Sequence, residues 1–369
     1  MNKARYGNYA KLIAFFLVAV LLIVGFGFAT EGWWQDTEED KPNTDTDNPK
    51  DNISNDTSEN TNNQDAPVIA EPEYINSITG LEISEDAARN RHYAFVLDTD
   101  SPLYGLSLCD LIAEFPTESE STRLLAFINN TDKLSKIGSI AQTRSYISNV
   151  SRFFSSIIVH NGNDGVAPSE SCDIRGSVFD LSERTGYYYT EYTKFTYSNG
   201  DLISAGIFNS NINTTAEKET ATPYSFAAYG ETIDIGDSIA KTVIIPFSDR
   251  SETELYYQSA DKCYTFNKNG SMKNDMLNDK KTSFKNVFVI FADSITYEAQ
   301  NATELVMNTI GKGKGYYITE GFSTDITWES NSEGNMTMYD KNGEKLEVNR
   351  GNAYIGFVKS SKAENVKIS

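Results

Sequence analysis

Six residues carry side chains suited to a binding or acid–base site: Asp98, Glu114, Glu118, Arg123, Arg144 and His160. Carboxylates beside guanidinium groups hold anionic or sugar ligands through charge-assisted hydrogen bonds, and a carboxyl with an imidazole can supply an acid and a base. The structural alternative is a set of ion pairs, because arginine commonly pairs with carboxylates at partly buried strand ends. A single histidine is also more often a hydrogen-bonded tip residue than a catalyst. Residues 137–162, IGSIAQTRSYISNVSRFFSSIIVHNG, hold two of the six. Tyr146, Val150, Phe153 and Phe154 recur at helical spacing, whereas Ile157, Ile158 and Val159 form a β-branched run ending in His160, Asn161 and Gly162. This pattern predicts a helix followed by a buried strand whose tip is His160. Ligands of open α/β sheets bind beyond such carboxyl ends.

The elements that must position these residues alternate. A short acidic helix capped by Ser84 is expected first, then a strand over 93–98 ending in Asp98. A helix over 106–115 should bring Glu114 and Glu118 around a helix-to-loop transition. A strand over 122–128 follows, entered by Arg123, then a helix over 144–154 and a strand over 156–160. Alternation of this kind predicts an α/β domain over 74–235 with a mixed sheet that contains parallel members. A tyrosine-rich patch at Tyr187, Tyr188, Tyr189, Tyr192 and Tyr197 is expected to pack a strand face; the other reading is a carbohydrate-stacking platform. From Ser238 the sequence becomes a series of short strands with turn signals at Asn269-Gly270 and Asn342-Gly343. The expected fold class is therefore α+β, with a C-terminal, mostly antiparallel β-rich domain over 236–360 and a tail over 361–369.

Catalytic motifs are lacking. The sequence has no G-x-S-x-G, no H-E-x-x-H, no G-x-x-x-x-G-K-[ST] and no complete calcium loop. Residues 311–315, GKGKG, lack the Ser/Thr of a phosphate cradle and read as a hairpin turn. Residues 340–344, DKNGE, read as an acidic turn rather than a metal site. No cofactor and no metal is implied. Cys109, Cys172 and Cys263 form no C-x-x-C pair, and the chain has only His92 and His160 to assist them, which argues against zinc. Cys109 is expected to be a small buried hydrophobe, and Cys172 and Cys263 are available for a bridge in an oxidising compartment.

The 369 residues carry a net charge of −20, half of it in residues 35–73, where twelve Asp/Glu stand against two Lys. An acidic surface without a basic aromatic stripe disfavours nucleic-acid binding. Residues 1–11 are basic and residues 12–29 are uncharged and apolar, about long enough for a bilayer core of roughly 30 Å. With the positive charges before the apolar run, the expected arrangement is a cytoplasmic tail over 1–11, a transmembrane signal-anchor helix over 12–30 and everything later outside. A cleaved signal peptide is the alternative, and both readings export the chain. Residues 31–73 are too polar to offset the entropy of ordering and are expected to be a disordered acidic tether spanning about 35 Å.

From about residue 75 to residue 358 the chain resembles the YerB-like family of bacterial envelope lipoproteins, which has two domains of unknown function. INSITGLEIS resembles the family's Asn-Pro-Leu-Thr-Gly-Leu entry, and RHYAFVLDT its Arg-Pro-Val-Ala-Val-Met-Ile-Asp-Asn, keeping Arg91 and Asp98. GLSLCDLIAEF keeps Asp110 and Glu114, and ESESTRLLAFI keeps Glu118, Thr122 and Arg123. IGSIAQTRSYI and IIVHNG resemble Ile-Gly-Pro-Val-Arg-Ser-Ala-Arg and Val-His-Ala-Gly, keeping Arg144 and His160. CYTFNKNGSMKNDML and FKNVFVIF keep Tyr264, Gly270, Asp275 and Asn286. The chain departs from the pattern at Ala141 and Phe266, where arginines are expected, and at Lys194, near an expected histidine. The resemblance implies two domains outside the cytoplasm and no reaction; the chain differs from the family in having a protein anchor in place of a lipid one. The expected function is a membrane-tethered binding or scaffolding module that engages a cell-wall glycan or an envelope protein. The alternative is a divergent wall-active hydrolase or transferase using Glu118, Arg144 and His160.

Overall fold

Apolar runs covered on both faces become strands, and their register organises this chain around one mixed sheet. The computed structural model describes residues 70–162, 177–216, 222–299 and 302–369. In the first half are helix α1 (Glu85–Ala88), strands β1 (Tyr93–Asp98), β2 (Leu111–Pro116) and β3 (Thr122–Ile128), helix α2 (Ser145–Phe153), strands β4 (Ile157–His160) and β5 (Val178–Asp180), and helix α3 (Gly200–Asn209). The second half supplies β6 (Thr242–Pro246), β7 (Glu252–Gln258), β8 (Cys263–Lys268), β9 (Asn286–Ala292), β10 (Lys312–Thr319), β11 (Phe322–Ser330) and β12 (Ala353–Lys359).

The main sheet runs β11-β10-β9-β12-β2-β3-β1-β4-β5, with Ser238–Ile239 and Met336–Tyr339 added beside β11. Strand β12 inserts between β9 and β2, parallel to both, with Leu111 opposite Ala353 and Glu114 opposite Gly356. The sheet therefore crosses the boundary expected at residue 235, and residues 66–369 form one compact unit. Strands β1, β2, β4, β9 and β12 point the same way, while β3 is antiparallel between β1 and β2. The parallel members predicted from the alternation are present.

Side chains alternate between two covered faces. On one, Phe95, Leu97, Ile112, Val159, Val289 and Tyr354 meet a second sheet built on β6, β7 and β8, together with Ile203 and Ile207 of α3. On the other, Ala94, Val96, Phe115, Phe127 and Ile158 meet Tyr146, Ile147, Val150 and Phe153 of α2. Local signals set the helix starts: Ser84 Oγ accepts from Ala87 N at 3.3 Å, and Asn199 Oδ1 accepts from Leu202 N at 2.9 Å.

Two expectations are corrected. Residues 106–115 are not a helix: Leu106–Leu108 is a single 3-10 turn and Leu111–Pro116 is β2. Every residue of β2 is buried, so its apolar run lacks strand alternation and imitates helical spacing. GKGKG is not a hairpin turn; Gly313 and Gly315 lie within β10. A Cβ on Gly315 would lie 2.4 Å from Val289 O, and one on Gly313 would lie 2.6 Å from Trp328 Nε1. Asn269-Gly270 does turn tightly between β8 and Ser271–Met272, with positive φ at both residues.

In the tyrosine patch, Tyr197 is buried, and Tyr187 and Tyr188 pack on the core. Lys136 Nζ lies 3.9 Å from the Tyr104 ring centre and 4.1 Å from that of Tyr197, so the chain's own lysine occupies this aromatic surface. Cys109 is buried as expected, which pushes its thiol pKa up. The expected membrane helix, most of the tether, and Cys172 with its bridge to Cys263 lie outside the described residues. Among those described, no helix is long and apolar enough to cross a membrane.

Because Val289 O cannot retreat without disturbing the β9–β10 ladder, Gly315→Ala in the 66–369 unit should lower the unfolding free energy by about 1–3 kcal/mol. A urea transition superimposable on the wild-type curve would contradict this.

Candidate functional site

The common direction of β1, β2, β4, β9 and β12 places Asp98, Glu118 and His160 at the carboxyl edge of the sheet, with Arg123 at the adjacent start of β3. Arg144 stands at the N-cap of α2, in extended conformation. Four of the candidates form an alternating row of charge. Arg123 Nη1 donates to Asp98 Oδ1 at 2.9 Å, across the register pair that joins β1 to β3. Arg144 holds Glu118 through Nη2 to Oε1 and through Nε to Oε2, the latter at 3.3 Å. Burial would raise the Glu118 pKa, but the Arg144 hydrogen bonds and the charges of Arg144 and Arg123 hold it below the ordinary carboxyl range. Asp98 also accepts from Asp100 N at 3.1 Å and Ser101 Oγ at 3.1 Å, which closes the turn after β1.

Glu114 does not belong to this row. It lies at mid-strand on the opposite face of β2, fully buried, and it was expected at a helix end only because residues 106–115 read as helical. Lys268 Nζ donates to Oε1 at 2.6 Å, as does Thr122 Oγ1 at 2.6 Å, while Thr253 Oγ1 and Tyr354 OH donate to Oε2 at 2.7 Å and 2.6 Å. Burial pushes the Glu114 pKa up, yet Lys268 and the hydroxyls of Thr122 and Tyr354 overcome it and leave the carboxyl below its ordinary value. Its four donors come from β3, β7, β8 and β12, so Glu114 is a structural crosslink and not a ligand contact.

His160 ends β4 with its ring buried. A carbonyl only accepts, so Nδ1–H donates to Gly162 O at 2.9 Å, and Asp180 Oδ1 lies 3.7 Å from the same nitrogen. Burial lowers the His160 pKa, only partly offset by Asp180 and the Gly162 carbonyl, so the ring is neutral near pH 7. Asp180 is committed to Gly162 N at 2.9 Å, Ser182 N at 2.9 Å and Ser182 Oγ at 2.8 Å. The loop after β4 is tied to the loop before α2 by Asn161 N to Ala141 O at 2.9 Å and Thr143 N to Gly162 O at 3.0 Å. Residues 137–162 therefore act as one structural unit, with Arg144 at the end of the loop before α2 and His160 at the tip of β4, whose following loop is tied to it.

At the other, amino edge of the same strands is an open cavity of about 500 Å³, lined by Arg91, His92, Asn129, Tyr224 and Arg350 among others. His92 Nε2 lies 3.2 Å from Asn76 Oδ1 and 3.4 Å from Asp110 Oδ2. Arg350 donates to Ala227 O at 2.9 Å and to Glu71 Oε1 at 2.6 Å. Nothing in the spacing of these residues announces the cavity, because Ile75, His92, Asn129, Tyr224 and Arg350 are gathered from both halves by the shared sheet.

Residues 78–211 match the N-terminal domain, and residues 243–355 the C-terminal domain, of a family described as protein of unknown function DUF3048. The chain belongs to the DUF3048 family. Its fold is similar to the crystal structure of the YerB protein from Bacillus subtilis, with a TM-score of 0.68 and 19% identity over 80% of this chain and 100% of that one. No curated protein matches the chain.

Two expected arginines of this DUF3048 member are replaced by residues whose surroundings are apolar. Ala141 packs on the face covered by α2. Phe266 is buried, with ring centres 6.0 Å from Phe284 and 5.8 Å from Tyr354, beside the Glu114 crosslink. Lys194 lies over the Phe195 ring at 4.6 Å.

Removing one partner of a buried ion pair leaves an uncompensated charge, so Lys268→Met should cost about 3–5 kcal/mol in urea unfolding. Adding Glu114→Gln should recover most of that loss; a single variant as stable as wild type would refute the crosslink. The pH dependence has a defined sign. Glu114 and Glu118 contribute stability above the ordinary carboxyl value of about 4.3, and it is lost as pH falls through their lower folded-state values. His160 is also lowered, so below about pH 6.5 the unfolded chain takes up the proton first and stability falls with falling pH. Urea midpoints measured from pH 7.5 downward should fall less steeply for His160→Gln just below pH 6.5, and an unchanged slope would exclude His160 as the source.

Proposed function

We propose that this protein is an extracytoplasmic binding or scaffolding module of the bacterial cell envelope, held to the membrane by residues 12–30 and raised from it by residues 31–73. The observation that carries this reading over acid–base chemistry is the pairing at the carboxyl edge. Asp98 is committed to Arg123 and Glu118 to Arg144, so these charges shape and stiffen a surface. A general acid at neutral pH needs a carboxyl whose pKa is raised, and Glu118 is shifted the other way. The apolar run, the positive residues before it and the acidic tether after it support the placement.

A second reading, a wall-active hydrolase or transferase, is favoured by His160 alone. Its imidazole is neutral, oriented through Nδ1 and close to a carboxylate, which suits a general base.

The 66–369 unit, incubated with purified wall polymer, envelope-protein extract and lipid vesicles, should be retained on the wall or the protein fraction. Retention on none of them would overturn the binding reading. In intact cells producing the full chain, external protease should reach residues 66–369; protection from it would contradict the placement. If the second reading held, the unit would release wall fragments with a pH dependence lost in His160→Ala.

A further inference from the structure

Strands β10 and β11 form the floor of a groove of about 620 Å³, within the usual ~300–1,000 Å³ range of ligand pockets. One wall is the 3-10 turn Ser360–Asn365, which contributes Ala363 and Glu364; the other is the turn that contains Asp340, Lys341 and Gly343. The register places Tyr316 opposite Asp325 and Lys314 opposite Thr327, so all four side chains share the groove face. Tyr316 is half-buried, and the Phe291 ring meets it edge-on, with centres 5.7 Å apart at 88°. Its ring is thereby fixed at the groove floor.

Around it, Lys314, Asp325 and Glu364 are exposed, and among the described residues their side chains enter no hydrogen bond or ion pair. That contrasts with the carboxyl edge, where charges pair. The far wall is braced in advance. Asp237 receives Lys341 Nζ at 2.8 and 2.9 Å and Thr324 Oγ1 at 2.6 Å, and Asp340 Oδ1 accepts from Asn342 N and Glu344 N at 2.9 Å each. A preformed wall reduces the ordering cost of binding.

We propose that this groove is a saccharide site, in which a pyranose ring stacks on Tyr316 while Lys314 donates to, and Asp325 and Glu364 accept from, its hydroxyl or acetamido groups. The proposal rests on the binding reading above and names a site for it. A pyranose has an apolar C–H face rimmed by hydroxyls, which matches one aromatic ring flanked by uncommitted donors and acceptors. Other occupants fit less well. With three carboxylates (Asp325, Asp340, Glu364) against two ammonium groups (Lys314, Lys341), of which Lys341 is held by Asp237, the groove disfavours phosphate-rich ligands. An extended peptide adding as a strand needs free backbone edges, but β10 is paired on both sides, by β9 and β11, and β11 is paired by β10, Ser238–Ile239 and Met336–Tyr339.

The test is titration of the 66–369 unit with a tetrasaccharide of β1,4-linked N-acetylglucosamine, followed by calorimetry and NMR. Saturable binding is expected, weakened tenfold or more by Tyr316→Ala. The double variant Lys314→Ser/Asp325→Asn, which touches only exposed side chains and leaves the fold intact, should weaken it at least fivefold. Wild-type affinity in both variants, absence of binding by the wild-type unit, or competition by a peptide in place of the saccharide would overturn the site. If wall material still retains the unit and these variants do not reduce retention, the groove is wrong and the binding reading stands. If no envelope fraction retains the unit, that reading falls, whatever the titration shows.

Discussion

The Glu114 carboxylate, enclosed between two sheets, is the interaction on which the rest of the structure depends. A bare carboxylate there would carry a large desolvation penalty, and its folding is tolerable only because Lys268, Thr122, Thr253 and Tyr354 all donate to it. Those donors arrive only when β3, β7, β8 and β12 are all in place. The crosslink therefore rewards one arrangement of the two sheets and penalises every slipped one. Gly356 lies opposite Glu114 in the β2–β12 pair, and the room it leaves is taken by the Tyr354 ring, whose hydroxyl reaches the carboxylate.

The same crosslink explains why the two DUF3048 segments share a core. Strand β12, from the end of the second segment, lies between β9 and β2 and bonds to both. Removing either segment would leave one edge of a buried strand of the other, β2 or β12, without its partner. Asp275 adds a second tie: its carboxylate accepts from Gly105 N at 2.8 Å and from Ser107 N at 2.9 Å, across the halves. Ligand sites on such a body are confined to strand ends and outer faces, because its interior is filled by side chains from both segments.

Charge is handled differently in different parts of the surface. At the carboxyl edge, Asp98, Arg123, Glu118 and Arg144 neutralise one another, which stiffens the loops after β1 and β2 and before α2. Over β10 and β11, charged groups of both signs stay uncommitted beside an aromatic ring. Rigid, self-paired charge suits a scaffold, and uncommitted charge around a fixed ring suits recognition.

Much of this was legible in residue order. The period of residues 144–160 gave a helix and strand that the structure places at Ser145–Phe153 and Ile157–His160, and the 93–98 strand, the Ser84 cap and the Asn269-Gly270 turn follow from equally local chemistry. Local preferences need no partner to act. The six candidate residues were chosen by type and by expected place at the ends of elements, neither of which could say which were partners. Asp98 with Arg123 and Glu118 with Arg144 are separated by 25 and 26 residues, and Glu114 meets Lys268 across 154. Sheet register and the loops it brings together set those encounters. The same limit turned β2 into an expected helix, since burial on both faces erases the alternation by which a strand is read. The sequence alone determined local elements and the supply of charge. Tertiary structure decided which charges cancel and which stay available, because ion pairing depends on distances that the chain acquires only when its strands and loops are assembled around one sheet.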